Sequence, residues 1–271
     1  MTTYRLLVSD LDGTLLQPDR TLGASTVLAL RRAQAAGKRL LIATGRPPRF
    51  VRPLLHEHGL DIPFASYNGA AIWDGPEAVS PLWEQHMAAE TVRTLIAALR
   101  QRDGSLNLRC ESGDHNYADY IDAGIAERVR LGITQPPTVG PLEQVIASEQ
   151  GIAKLLVSVG LARIAEMIAY VEGLGLAVYA TTSGEGWLEV MAAGVDKGRA
   201  AAWWAAHCGI PASQVIACGD HLNDLPLLRW AGLGVAVANA VPEVLTAADH
   251  LAASNAEQGV AGVIERFLLA E

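Results

Sequence analysis

Apolar residues along this chain fall in short runs, each ending in a polar or glycine-containing turn. Residues 5–9 (RLLVS) form such a run and lead into DLDGT, which predicts a buried strand rather than a helix. Leu28, Leu30, Ala33 and Ala36 fall in a helical stretch, and Gly37 closes it. Residues 40–43 (LLIA) predict a second buried strand running into TGRP. Pro47 suits a first helical position, and Gly59 ends the helix it opens. Residues 63–66 predict a third strand, followed by the turn signal YNGA. Strand and helix alternating over short connections imply right-handed crossovers and a parallel sheet.

The rhythm changes beyond this segment. Helices are predicted at 90–102, 123–131, 142–148 and 164–174, and strands at 106–110, 116–120, 153–159, 178–181 and 187–191. The last two strands are joined by the hairpin-like loop 182–186, and 132–141, with Pro136, Pro137 and Pro141, is the most loop-like piece. Paired strands without an intervening helix are an α+β signature. The earlier alternation then returns, with a helix at 197–208, a strand at 215–218 ending in GDHLND, a helix at 222–230, a strand at 235–238, and helices at 243–248 and 260–269. The fold class expected is therefore α/β. A doubly wound, mostly parallel-sheet core from residues 1–83 and 190–271 is interrupted by an inserted α+β domain at 84–189.

Composition removes several classes. The chain has 271 residues, 50% of them hydrophobic, enough to bury a sizeable core. Its formal charge of −8 repels polyanions, so no nucleic-acid partner is expected, although a local positive site can still hold a small phosphate. Three cysteines (Cys110, Cys208, Cys218) make no disulfide framework and fit no zinc spacing, which favours a reducing, cytoplasmic compartment. MTTYRLLVSD has no long apolar core, so no signal peptide is expected. The uncharged stretch 200–219 is broken by His207, Gly209, Pro211, Ser213 and Gln214, so no membrane span is expected. P-loop, G-x-S-x-G and complete G-x-G-x-x-G motifs are missing from the sequence.

Four polar elements stand at predicted strand ends or helix starts. Asp10-Leu11-Asp12-Gly13-Thr14 places two carboxylates two apart, one suited to nucleophile or metal ligand and the other to proton transfer. Gly13 allows backbone N–H groups to turn inward as an anion nest. Thr44-Gly45-Arg46 offers a hydroxyl and a free N–H for phosphate oxygens. Asp196-Lys197-Gly198 puts one of only three lysines at a helix start, where the dipole opposes it unless an anion faces it. Gly219-Asp220-His221-Leu222-Asn223-Asp224 clusters hard oxygens suited to magnesium. Taken singly, these have plainer readings as a turn, a helix start, a solvated ion pair and a helix cap. Together, on one edge of one sheet, they supply what phosphoryl transfer requires.

DLDGT, ATGR, DKG and GDxxND, in this order, resemble the four motifs of the haloacid dehalogenase superfamily of phosphohydrolases. The long insert, together with SYNGA at 66–70 and VANA at 237–240, resembles its Cof-type (class IIB cap) branch; His221 is a variation within the fourth motif. The resemblance implies a magnesium-dependent phosphatase of small phosphomonoesters, sugar phosphates or similar metabolites, with the insert acting as a lid. It implies Asp10 as nucleophile and Asp12 as acid and base. Magnesium would be held by Asp10, the main-chain carbonyl of Asp12 and Asp220, with Asp224 supporting its shell. Thr44, Gly45, Lys197 and Asn223 would serve the phosphoryl group. A sugar-phosphate mutase and a non-catalytic phospho-aspartate signalling module are the rival expectations. His56 and His58, two apart on a helix, point to different faces and read as surface residues; at least one of Trp203 and Trp204 is expected in the core.

Overall fold

The computed structural model describes residues 3–130, 134–148, 151–184 and 186–270. Parts of the loops expected at 132–141 and 182–186, the end of the helix expected at 123–131, and the first two residues of the amino-terminal segment lie outside them. The chain forms two compact units, one of Met1–Glu84 with Val195–Glu271 and one of Gln85–Gly194.

Among the described residues, the first unit contains an eight-stranded sheet. From one edge to the other its strands are His250–Ala252, Leu233–Val237, Val215–Gly219, Leu6–Ser9, Arg39–Ala43, Phe64–Ser66, Ala71–Trp73 and Trp83–Glu84. The first six run parallel, and the last two are added through antiparallel pairings, so only Ala71–Trp73 runs in the opposite direction. Side chains alternate between two buried faces. Leu7, Ile42, Ile216 and Val235 pack with Leu30, Leu55 and Ile264 on one face. Leu6, Val8, Leu41 and Ala217 pack with Ala201, Trp204 and Leu227 on the other. Covered on both faces, these strands read as unbroken apolar runs. Ser9 lies level with Cys218 and Ile42, so the chain leaves three adjacent strands at one edge of the sheet.

Strands Ala71–Trp73, Trp83–Glu84 and His250–Ala252 were not anticipated; two or three residues are too few for a period to register. The helix expected at 222–230 begins as a separate turn, Leu222–Asp224, before Leu225–Trp230, which carries proline in its first turn. The closing helix changes pitch, from Gly259–Val263 to the wider turn Ile264–Leu268.

The second unit holds a six-stranded sheet in the order Val178–Thr181, Trp187–Ala192, Lys154–Ser158, Leu108–Ser112, His115–Ala118, Thr138–Val139. Its pairings are antiparallel except the last. The strand expected at 106–110 starts two residues late because the Asp103 carboxylate accepts from Ser105 N–H and prolongs the turn. Buried Arg109, Glu111, Lys154 and Glu189 form ion pairs on these strands, Arg109–Glu111 at 3.8 Å and Lys154–Glu189 at 3.5 Å. Among the described residues no helix is long and apolar enough to cross a membrane.

Candidate active site

Strand Leu6–Ser9 delivers Asp10, whose N–H donates to the Cys218 carbonyl at 3.0 Å. The chain then turns through Leu11–Leu15, with Asp12 extended and Gly13 at φ +75°. Glycine is needed here on two counts. Its φ is left-handed, and a Cβ would lie 2.4 Å from Asp220 Oδ2. The Thr14 hydroxyl donates to Asp220 Oδ1 at 2.7 Å, joining the first and fourth motifs. Asn239, from VANA, donates Nδ2 to the Gly13 carbonyl at 2.7 Å and accepts the Asn255 N–H at 2.9 Å. Asn255 in turn donates to the Leu16 carbonyl at 2.8 Å, so the loop is held along its length.

Lys197 opens helix Lys197–His207, and Asp196 caps that helix by accepting from Arg199 N–H at 2.8 Å. The lysine is fully buried. Its ammonium lies 2.7 Å from Asp10 Oδ1 and 2.6 Å from Asp224 Oδ1. The solvated pair with Asp196, open on sequence alone, does not form: the aspartate turns to the helix and the lysine turns inward. The other oxygen of Asp224 accepts the N–H groups of Asp220 (2.9 Å) and His221 (3.0 Å), which closes the turn Leu222–Asp224. Asp224 is therefore both a cap and an ion-pair partner.

Asp10, Asp220 and Asp224 each offer one carboxylate oxygen, all within 4.8 Å of one another. Burial, reinforced by Asp224, Asp220 and Asp12 and opposed by Lys197, holds the Asp10 carboxyl well above its ordinary range. Burial and Asp224 push Asp220 up to about 6. Burial alone would lower the Lys197 ammonium, but Asp10 and Asp224 more than reverse that, so it stays charged. Two buried carboxylates, Asp10 and Asp224, and the partly buried Asp220 against one ammonium leave an excess of negative charge. Hard oxygens in such an excess are the donor set a magnesium ion takes, so these residues fit the metal. The Asp12 carboxylate is outside this trio, half-exposed and held by both Arg46 Nε (2.7 Å) and Nη2 (2.5 Å). Any part it takes in the metal site therefore falls to its main chain.

Thr44 is buried, and its hydroxyl oxygen accepts the Arg46 N–H at 3.1 Å, which leaves its own proton to be donated. Gly45 lies between them, half-buried. Asn223 is buried on the turn after strand Val215–Gly219 and donates Nδ2 to Asn68 Oδ1 at 3.0 Å. Asn68 follows Tyr67 in a turn where both take left-handed φ, a conformation costing a non-glycine residue about 1–2 kcal/mol. The structure thus gathers Asp10, Lys197, Asp220 and Asp224 into one cluster. Arg46 links Asp12 to the Thr44 segment, and Asn68 links that segment to Asn223. The sequence alone singles out no individual role for Thr14, Arg46, Asn68 or Asn239, although each lies inside a motif string: DLDGT, ATGR, SYNGA or VANA.

A doubly wound parallel sheet with acids, a lysine and a hydroxyl gathered beyond the carboxyl ends of its strands, interrupted in sequence by an α+β unit, is the α/β class expected from the sequence, with its candidate site where such sheets bind ligands. The chain belongs to the haloacid dehalogenase-like hydrolase family, whose model matches residues 7–264. It is 26% identical over 265 residues to the 5-amino-6-(5-phospho-D-ribitylamino)uracil phosphatase YitU of Bacillus subtilis (strain 168), covering 97% of each chain. It is 29% identical over 255 residues to the HMP-PP phosphatase of Cronobacter sakazakii (strain ATCC BAA-894), covering 91% of this chain and 89% of that one. Its fold matches that of the subclass IIB sugar phosphatase BT4131 with a TM-score of 0.84 at 22% identity, over 97% of this chain and 98% of that one.

Proposed function

We propose that this chain is a magnesium-dependent phosphatase of small phosphomonoesters that works through an aspartyl-phosphate on Asp10. The observation that carries the reading is the buried Lys197 ammonium 2.7 Å from Asp10 Oδ1, inside a cluster of three carboxylates. A carboxylate approaching a phosphate dianion is repelled unless positive charge lies beside it. Asp10, Asp220 and the main-chain carbonyl of Asp12 would hold magnesium, with Asp224 supporting them; once bound, the ion supplies further positive charge.

An Asp10 oxygen bonds to phosphorus as the bond from phosphorus to the leaving oxygen breaks; Asp12, entering this step protonated with one oxygen released from Arg46, gives the leaving oxygen its proton and becomes the carboxylate. Water then loses a proton to Asp12 and attacks the phosphorus. The bond to Asp10 breaks, releasing inorganic phosphate. Thr44, the backbone of Gly45, Lys197 and Asn223 hold the phosphoryl oxygens. In this reading the unit of Met1–Glu84 and Val195–Glu271 is the hydrolase core, and Gln85–Gly194 selects the leaving group. The names of the relatives, which specify a phosphorylated ribitylaminouracil, HMP-PP and sugar phosphates, support a phosphorylated metabolite as substrate. The free thiols Cys110, Cys208 and Cys218 support a cytoplasmic location.

The test is phosphate release from a panel of phosphorylated metabolites with magnesium and no bisphosphate activator. Many turnovers are expected, with kcat/KM differing across the panel. Dependence on a bisphosphate, or a stable phosphoenzyme without turnover, would overturn the phosphatase reading.

A further inference from the structure

The string SYNGA (66–70) takes no part in the reaction above, yet its turn is unusual. Tyr67, Asn68 and Gly69 are consecutive, buried and all left-handed, at φ 55°, 57° and 101°. Such backbone persists where its surroundings over-determine it. Here the Tyr67 N–H donates to the Arg46 carbonyl at 3.2 Å, and the Asn68 N–H to the Thr44 carbonyl at 2.9 Å. A Cβ on Gly69 would lie 2.6 Å from the Asp196 carbonyl oxygen, beside Lys197. Asn68 Oδ1 accepts from Asn223 Nδ2 at 3.0 Å. One short turn therefore touches the segments bearing Thr44, Lys197 and Asn223.

We propose that Asn68 is a positioning residue that aims the Asn223 amide at the phosphoryl group, which rests on the function proposed above. Asn223 Oδ1 is buried and accepts no hydrogen bond among the described residues, so the contact with Asn68 is what orients the amide. With one Nδ2 hydrogen anchored, the other is left to be donated to an anion. Asparagine meets both demands of the position, since it tolerates left-handed φ and offers an acceptor; glycine meets only the first.

The experiment compares wild type, Asn68→Gly, Asn223→Ala and the double variant. It uses calorimetric Kd for inorganic phosphate with magnesium, and kcat on p-nitrophenyl phosphate. Asn68→Gly is expected to weaken phosphate binding and lower kcat by about tenfold each, the scale of one hydrogen bond to a charged group. The double variant is expected to lose no more than Asn223→Ala alone. Wild-type behaviour in Asn68→Gly, or a loss that adds in full to that of Asn223→Ala, would overturn the proposal. If Asn68→Gly does not melt cooperatively, Asn68→Asp replaces it, because it keeps an acceptor. In that background Asn223→Ala must cost as much as in wild type, and a vanished cost overturns the proposal. Wild type that binds phosphate but releases none from any ester overturns the proposed function, while the cycle still reports on Asn68 through Kd. Wild type that neither binds nor turns over overturns both.

Discussion

Arg46 grips both carboxylate oxygens of Asp12, Nε to Oδ2 at 2.7 Å and Nη2 to Oδ1 at 2.5 Å. Burial lowers the guanidinium's pKa, but the hydrogen bond and the charge of Asp12 raise it further, so Arg46 stays charged. A two-pronged contact fixes the plane of a carboxylate as well as its distance, which a point charge does not. Arg46→Lys keeps the charge and loses the fork, and is expected to lower kcat about tenfold; Arg46→Ala loses both and is expected to lower it about a hundredfold. Steady-state rates on one phosphomonoester check this, and an unimpaired Arg46→Ala variant would remove Arg46 from the site.

Asp10→Asn replaces a buried carboxylate by an amide of the same shape. Phosphatase activity should fall by about 10³-fold or more, as expected when a nucleophile is lost. Without magnesium the melting temperature should not fall, because one of three crowded negative charges has gone while Lys197 keeps Asp224. Phosphate release and thermal melting test the two halves separately.

Magnesium should stabilise the protein more at pH 7.5 than at pH 5. Asp220 has its carboxyl raised from 3.8 to about 6, by burial first and Asp224 next. Between those values the metal-free folded protein binds a proton that the unfolded chain does not, so its stability falls as pH rises through that window. Magnesium takes the ionised form and competes with that proton. Thermal melts with and without the ion at both pH values measure the difference; equal shifts would dissociate Asp220 from metal binding.

Gly13→Ala should cost about 1–3 kcal/mol in urea denaturation and most of the activity, from the strained backbone alone. The added Cβ would also meet Asp220 Oδ2 at 2.4 Å, and Asp220 has no room to retreat without releasing Thr14. A variant with wild-type stability and turnover would separate this turn from the site.

The strands Leu6–Ser9, Arg39–Ala43 and Val215–Gly219 were legible because being buried on both faces makes a strand uniformly apolar, and their ends announced the polar strings that follow. Strands of two or three residues, such as Trp83–Glu84, carry no period and were missed. Of the candidate residues, Asp10, Asp220 and Lys197 could be named from motif strings. The grip of Arg46 on Asp12 could not, because it links two loops through side chains whose directions depend on backbone dihedrals outside any regular element.

Local composition was thus enough for the kind of element, the edge of the sheet where chemistry collects, and the residue types available there, since each depends on neighbours a few positions away. Strand order brought Thr14 and Asp220 together across 206 positions of sequence, and packing turned Lys197 from its neighbour Asp196 to Asp10 and Asp224. Such choices rest on which distant surfaces exclude water from one another, and that is settled only when the whole sheet and its helices close.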